Sequence, residues 1–377
     1  MAVDPGANAP PPARPFLEIR PLLRAPGIAS DAKKLILAVV GLLALQAGWM
    51  ILARGFGGDP PSFPAFAIDP AAGFVPDLSA AGLGGAAAFV AEPYRVVLAP
   101  FVPLFGGGLG LSGWFQMALM ALWAAAVWGI VGGAIARIAV VQASGEGRVG
   151  LGSALRFALG KAASLIGAPL TPMLAVALLA IGPALFGLLL RIPGQSGGMV
   201  ATALGFVPLL FALVMALILA GLALGWPLMH ATVAAEGEDA PDALSRSYSY
   251  VNQRLARYLA HAAASLLIGG LGFLAAILFA RLVLGLSDWG VSLGAPAPEA
   301  WTDSARSGRV FWGGVVGLVV RAWAYSYFWS AASIVYLILR RDVDGTAWHD
   351  VYQPEHAADT FAGEPEAPAK GPEAEVG

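Results

Sequence analysis

The chain has no cysteine. No disulfide can hold an exposed loop, and thiolate metal sites and cysteine nucleophiles are excluded. Charge is also scarce: 12% of the 377 residues are Asp, Glu, Lys or Arg, against about 25% in soluble domains. Lysine is rarer still, with Lys33, Lys34, Lys161 and Lys370 alone among 22 basic residues. That bias, with abundant Ala and Gly, points to a GC-rich bacterial genome. No phosphate-binding loop, paired catalytic carboxylates or zinc motif occurs. The expectation is therefore no enzyme activity, no metal, no cofactor and no nucleic-acid partner. The apolar runs also lack the acidic residues that proton- or sodium-coupled carriers place within their spans.

What the chain does have is apolar length. Hydrophobic residues make up 58% of it and the mean hydropathy is +0.72. A hydrocarbon core of about 30 Å takes ~20 helical residues to cross. Six stretches qualify: about 35–53, 113–136, 168–190, 199–230, 259–284 and 310–339. The expected fold is an all-α, polytopic transmembrane helix bundle occupying residues 16–341. It follows a disordered N-terminus (1–15) and precedes an acidic, mostly disordered tail (342–377), whose composition cannot build a core. The polar, Pro-rich stretch before Leu35 is too long for a secretory n-region, so the first run reads as a retained span.

Basic residues set the orientation. With six spans and an inside N-terminus, fifteen of the 22 Lys and Arg fall on the cytoplasmic side and six outside, with Arg321 within a span. This agrees with the positive-inside rule and puts both termini in the cytoplasm of a bacterial inner membrane. Residues 94–111, "YRVVLAPFVPLFGGGLGL", are apolar but broken by Pro100, Pro103 and glycines, and read as an interfacial or re-entrant segment. The loop 54–112 as a whole has many Pro and Gly but no clear domain pattern, and is expected to cap the outer face.

Between the fourth and fifth spans lies "EGEDAPDALSRSYSYVNQRLARYLAH" (236–261). Asp239 or Asp242 can cap a helix with Pro241 in its first turn. Leu244, Tyr248, Val251, Leu255 and Tyr258 then form one helical stripe. Such a helix, with basic flanks, suits a membrane interface. A related stretch, "EGRVGLGSALRFALGKAASLIGAPL" (146–170), follows the second span, and "FLEIRPLLRAPGIASDAKKLIL" (16–37) precedes the first. The layout suggests three units, each an interfacial helix followed by two spans. Arg156, Arg246, Arg254 and Arg257 on these connectors are the candidate contacts to lipid or a partner protein.

Two stretches, "DALSRSYSYVNQRLARYL" (242–259) and "SIVYLILRRDVDGTAWHDVY" (333–352), give the chain a family likeness. It resembles uncharacterised bacterial multi-pass membrane proteins, and is similar in layout to YciC-like and glycerophosphodiester phosphodiesterase membrane-domain proteins. Over residues 16–345 the resemblance implies about six spans with amphipathic cytoplasmic connectors. The phosphodiesterase catalytic barrel has no counterpart here, so that activity is not implied.

Arg321 is the ionisable residue that stands out, since a charge within a span costs roughly 2.5–3.5 kcal/mol on insertion scales. Residues 322–339 nearly cross the bilayer by themselves, which favours Arg321 at the outer interface, where it can snorkel. The other readings are an ion pair within the bundle, or a ligand or pore contact shared with Tyr325 and Trp329. The surrounding aromatics, Trp323, Tyr327 and Tyr336 included, fit packing and an interfacial belt better than a substrate cage. Ser196, in "PGQSGG", resembles a rhomboid-protease serine, but a serine nucleophile needs a base and the sixth span has no histidine. His230 and His261 read as interfacial anchors, and two histidines without a third ligand make a weak metal site. His349, Glu355 and His356 give no better one. Gly129/Gly133, Gly221/Gly225 and Gly313/Gly317 are small-residue pairs that let helices approach. The functional expectation is a structural or accessory subunit, with a carrier or channel for a lipid or weakly polar solute as the alternative.

Overall fold

A computed structural model describes residues 15–57, 78–106, 108–189, 191, 195–294 and 302–353. These residues are all-α, with no strand among them. Short helices α1 (Ile19–Leu22) and α2 (Ala25–Ala29) lead into α3 (Ala32–Gly55). Then come α4 (Leu78–Val90), α5 (Glu92–Leu98) and α6 (Phe101–Gly106), ahead of α7 (Leu111–Ser144). Helix α8 (Leu151–Gly160) precedes α9 (Ala162–Leu179) and α10 (Ile181–Leu189); α11 (Gln195–Ala203) precedes α12 (Phe206–Glu236). The chain closes with α13 (Ala240–Gln253), α14 (Leu255–Ser292) and α15 (Asp303–Val343).

Six helical stretches are long and apolar enough to cross a membrane: α3, α7, α9 with α10, α12, α14 and α15. They correspond to the six expected runs, but most extend further at their polar ends. The second, fourth and sixth run on to Ser144, Glu236 and Val343. Their starts and stops follow local chemistry. Asp31 caps α3 by accepting from Lys33 N, and Thr302 caps α15 by accepting from Ala305 N. Gly145 and Gly237 end α7 and α12 in the left-handed region, at φ 86° and 68°, which costs glycine no steric penalty.

Helix α15 forms the axis of the bundle. From Ala322 to Arg340 it is almost entirely buried, packed on α3, α7, α12 and α14. Helix α9 lies outside α7 and α12, and α4 runs beside α14. The short helices α1–α2, α8 and α13 precede α3, α9 and α14 respectively. This is a shared order of elements and does not by itself establish an internal repeat.

Both described ends of the chain meet at one face of the bundle, here called the terminal face. Glu18 pairs with Arg257 at 3.0 Å and with Arg341. Arg257 also pairs with Asp342, and Arg246 pairs with Glu236, Glu238 and Asp344. Tyr336 donates to Glu236 and Tyr250 to Asp344. Arg340, 3% exposed, donates to the Ala347 and Asp350 carbonyls. Arg137 donates to Ala234 O (2.8 Å) and Tyr352 O (2.7 Å). Residues 342–353, assigned by composition to the acidic tail, are therefore tied to the bundle, and Val351 is buried. Two of the carboxylates that make the segment look solvated, Asp342 and Asp344, are the partners of Arg257 on α14 and Arg246 on α13. Residues 1–14, 58–77 and 354–377, with Glu355 and His356, lie outside the described residues, as do Pro193 and Gly194.

Candidate functional site

Helix α13 begins as the sequence predicts, with Asp239 accepting from Asp242 N and Pro241 in the first turn. Its buried face is shifted, however. Ala243, Ser247, Tyr250 and Val251 are buried, while Leu244 and Tyr248 are half-buried and Leu255 is exposed. Small Ala243 and Ser247 allow close approach, and Asp344 draws the Tyr250 hydroxyl inward. Burial, the hydrogen bond to Asp344 and the nearby Glu236 and Asp344 charges push the Tyr250 phenol well above its ordinary range. The helix also breaks at Arg254 (φ −133°, ψ 37°), so the stripe does not continue unbroken into α14.

Of the four connector arginines, Arg246 and Arg257 are committed to the ion pairs described above. Arg156 and Arg254 are exposed. Those two remain as candidates for an external contact. At the start of α3, burial acts against the Asp31 carboxylate, but the bonds from Lys33 N–H and Gln142 and the Lys34 and Lys33 charges outweigh it. Its pKa is lowered.

Of the segment between the first two spans, the described residues 78–106 pack along the bundle helices. Helix α4 packs along α14, with Ala86 and Val90 buried and Phe89 stacked on Phe273 at 5.4 Å. The chain turns at Ala91, and α5 and α6 pack on α7. Among the described residues the insertion is helical from Leu78, well before the apolar stretch 94–111, while α7 starts at Leu111.

The insertion delivers Glu92, 1% exposed, to α15. Arg321 Nε lies 3.0 Å from Glu92 Oε1 and donates to Oε2 at 3.4 Å. Tyr325 O–H donates to Oε1 at 3.1 Å. Tyr325 stacks on Trp128, ring centroids 4.6 Å apart, and Trp128 packs against Gly41. Gly41 is near the middle of α3, roughly 14 Å from its start at 1.5 Å per residue. Arg321 thus sits deep in the bundle, not at its outer edge, because a carboxylate from the loop meets it there.

Arg321 and Tyr325 come together around Glu92; Trp329 does not join them. One turn further along α15, Trp329 packs on Trp226 and His230, at centroid distances of 5.2 and 4.5 Å. None of the three lines a cavity described here. Glu92 and Tyr94 are the residues that sequence reading missed. The available signal was an acid beside Pro93 in the apolar context "AAAFVAEPYRVVLAP" (86–100), together with an arginine in need of a counter-charge.

Tyr94 separates two apolar cavities. Its hydroxyl donates to Ala223 O, and its ring meets Trp226 and Phe328 edge-on. On one side a cavity of about 30 Å³ is bounded by Trp128, Met173, Trp226 and His230, among others. That is enough for a water molecule. Trp128 Nε1, His230 Nε2 and Trp329 Nε1 are buried with no hydrogen-bond partner among the described residues. On the other side a cavity of about 150 Å³ lies between the α4–α5 turn, α12, α14 and α15.

The described residues thus define an all-α bundle with six helices long and apolar enough to cross a membrane and a seventh segment inserted between them. Comparison with models of known families, with curated proteins and with solved structures finds no match.

Proposed function

We propose that this is a multi-pass protein of the bacterial inner membrane, with both termini cytoplasmic, and that it acts as a structural or accessory subunit, not as an enzyme. The observation that carries this reading is the Glu92–Arg321–Tyr325 cluster. The charge in the sixth span is consumed inside the protein, and Tyr325 and Trp329 are fully buried in packing. Neither residue is presented to a passing solute. A backbone turn at mid-bundle is tolerable in hydrocarbon only where protein buries it, and the turn into α5, where Glu92 and Pro93 are buried, meets that condition. The resemblance to YciC-like membrane modules belongs to this reading as a proposal. Partner contact falls to the terminal face, where Arg156 on α8 is exposed.

The test is native mass spectrometry of the protein released directly from its own membranes. A stoichiometric protein partner that leaves on Arg156→Glu supports the subunit reading. A chain that emerges without any protein partner overturns it. The alternative, a carrier for a lipid or weakly polar solute, draws on one observation, the 150 Å³ apolar cavity.

A further inference from the structure

That cavity has the form of a seat for a hydrocarbon chain. Its walls include Val90 and Tyr94 from the inserted segment, Leu228 from α12, Ala262 from α14, and Phe328 and Ala332 from α15. Nearly all of the lining is carbon. Helix α14 reaches α12 through Tyr258, whose hydroxyl donates to Leu224 O at 2.6 Å, and Tyr258 also lines the cavity. Beyond that contact the cavity separates the two helices, and Leu266 stands exposed at its edge. An apolar cavity of ~150 Å³ stays dry and accepts an apolar guest of matching size.

The α14 lining residues Tyr258, Ala262 and Leu266 recur every four residues, and so share one helical face. Arg254, the residue that caps α14, lies four positions before Tyr258 at the terminal-face end of that helix. It is exposed and makes no ion pair among the described residues, unlike Arg246 and Arg257. An exposed arginine below an apolar slot matches the layout of an anionic phospholipid, with its phosphate at the interface and its chain in the hydrocarbon. The exposed leucines at 259, 266, 267 and 271 of α14 bring bilayer lipid to the opening, given the membrane placement proposed above.

We propose that a short segment of one acyl chain of an anionic phospholipid, from the leaflet at the terminal face, occupies this cavity, with its headgroup on Arg254. The lipid would then contact the α4–α5 turn, α12, α14 and α15 at once. This holds whether the protein is an accessory subunit or a carrier.

The experiment uses full-length protein reconstituted in vesicles of phosphatidylethanolamine and phosphatidylglycerol, released into a native mass spectrometer. Wild type is expected to retain one phosphatidylglycerol. Ala262→Phe, which fills the cavity, should lower retention roughly tenfold, equivalent to about 1.4 kcal/mol, and Arg254→Glu should lower it similarly. Ala263→Phe, on the exposed side of α14, should leave it unchanged. Monodisperse elution checks that each variant folds, and Ala332→Leu fills the same space from α15 should Ala262→Phe fail. Wild type that retains no phosphatidylglycerol overturns the proposal. So does undiminished retention in the folded cavity-filling variant or in Arg254→Glu, or an equal loss in Ala263→Phe.

Discussion

Glu92 and Arg321 are 229 positions apart in the chain, yet their side chains meet at 3.0 Å near mid-length of the bundle. An arginine alone at that depth is costly, and so is a glutamate; together, with the Tyr325 hydroxyl, they satisfy one another. Removing one partner of a buried pair leaves an uncompensated charge, which costs about 3–5 kcal/mol, whereas replacing both with apolar groups is often neutral. Arg321→Met and Glu92→Leu should therefore each lower the thermal unfolding midpoint in detergent sharply. The double variant should recover most of the loss. A strictly additive double variant would show that the two side chains do not depend on each other.

The same logic separates two neighbouring arginines of the α13–α14 junction. Arg257 joins Glu18 and Asp342, both of them well buried. Arg257→Gln should destabilise on the order of 3 kcal/mol, because it removes the buried cation that Glu18 and Asp342 share. Arg254→Gln, at an exposed position, should fall within about 0.5 kcal/mol of wild type. Chemical denaturation of the two variants in the same detergent decides the matter; equal effects would refute the assignment.

Asp31 makes stability depend on pH in the acid range. Its pKa is lowered in the folded state, so its contribution is present above the unfolded value near 4 and is lost as pH falls through the lower, folded one. At neutral pH, Asp31→Ala should cost about 1 kcal/mol, as loss of a helix cap does. The gap to wild type should narrow as pH drops below about 4. Unfolding midpoints across pH 3 to 7 test this, and a gap that widens towards acid would contradict it.

Glycine positions of similar appearance should respond oppositely. A Cβ on Gly132 would lie 2.6 Å from the Trp329 ring, and that ring is fully buried and cannot step aside. Gly132→Ala should destabilise by about 1–3 kcal/mol, as overpacking does. A Cβ on Gly313 meets nothing within 4 Å, so Gly313→Ala should stabilise by up to ~1 kcal/mol. Thermal scans of both variants check the contrast. The spacing of Gly313 and Gly317 suggests a helix contact; the structure puts open space around Gly313 instead, while Gly129 and Gly133 do face α9 through Ile166 and Leu165.

The legible parts of this protein were those that depend on a residue and its near neighbours. Runs of apolar residues long enough to cross a bilayer predict the six helices, since transfer free energy adds along a segment. Asp239 with Pro241 marks the start of α13 through backbone chemistry that acts over four residues. Composition does not show that Asp342 and Asp344, at the start of the acidic tail, are received by Arg257, Arg246 and Tyr250. Only the tertiary structure brought Glu92 to Arg321, inserted α4–α6 beside α14 and opened a cavity above Tyr258. Ion pairing over 229 positions and the space left between helices depend on how distant segments dock. Hydropathy and periodicity, which sum local terms, carry no record of that.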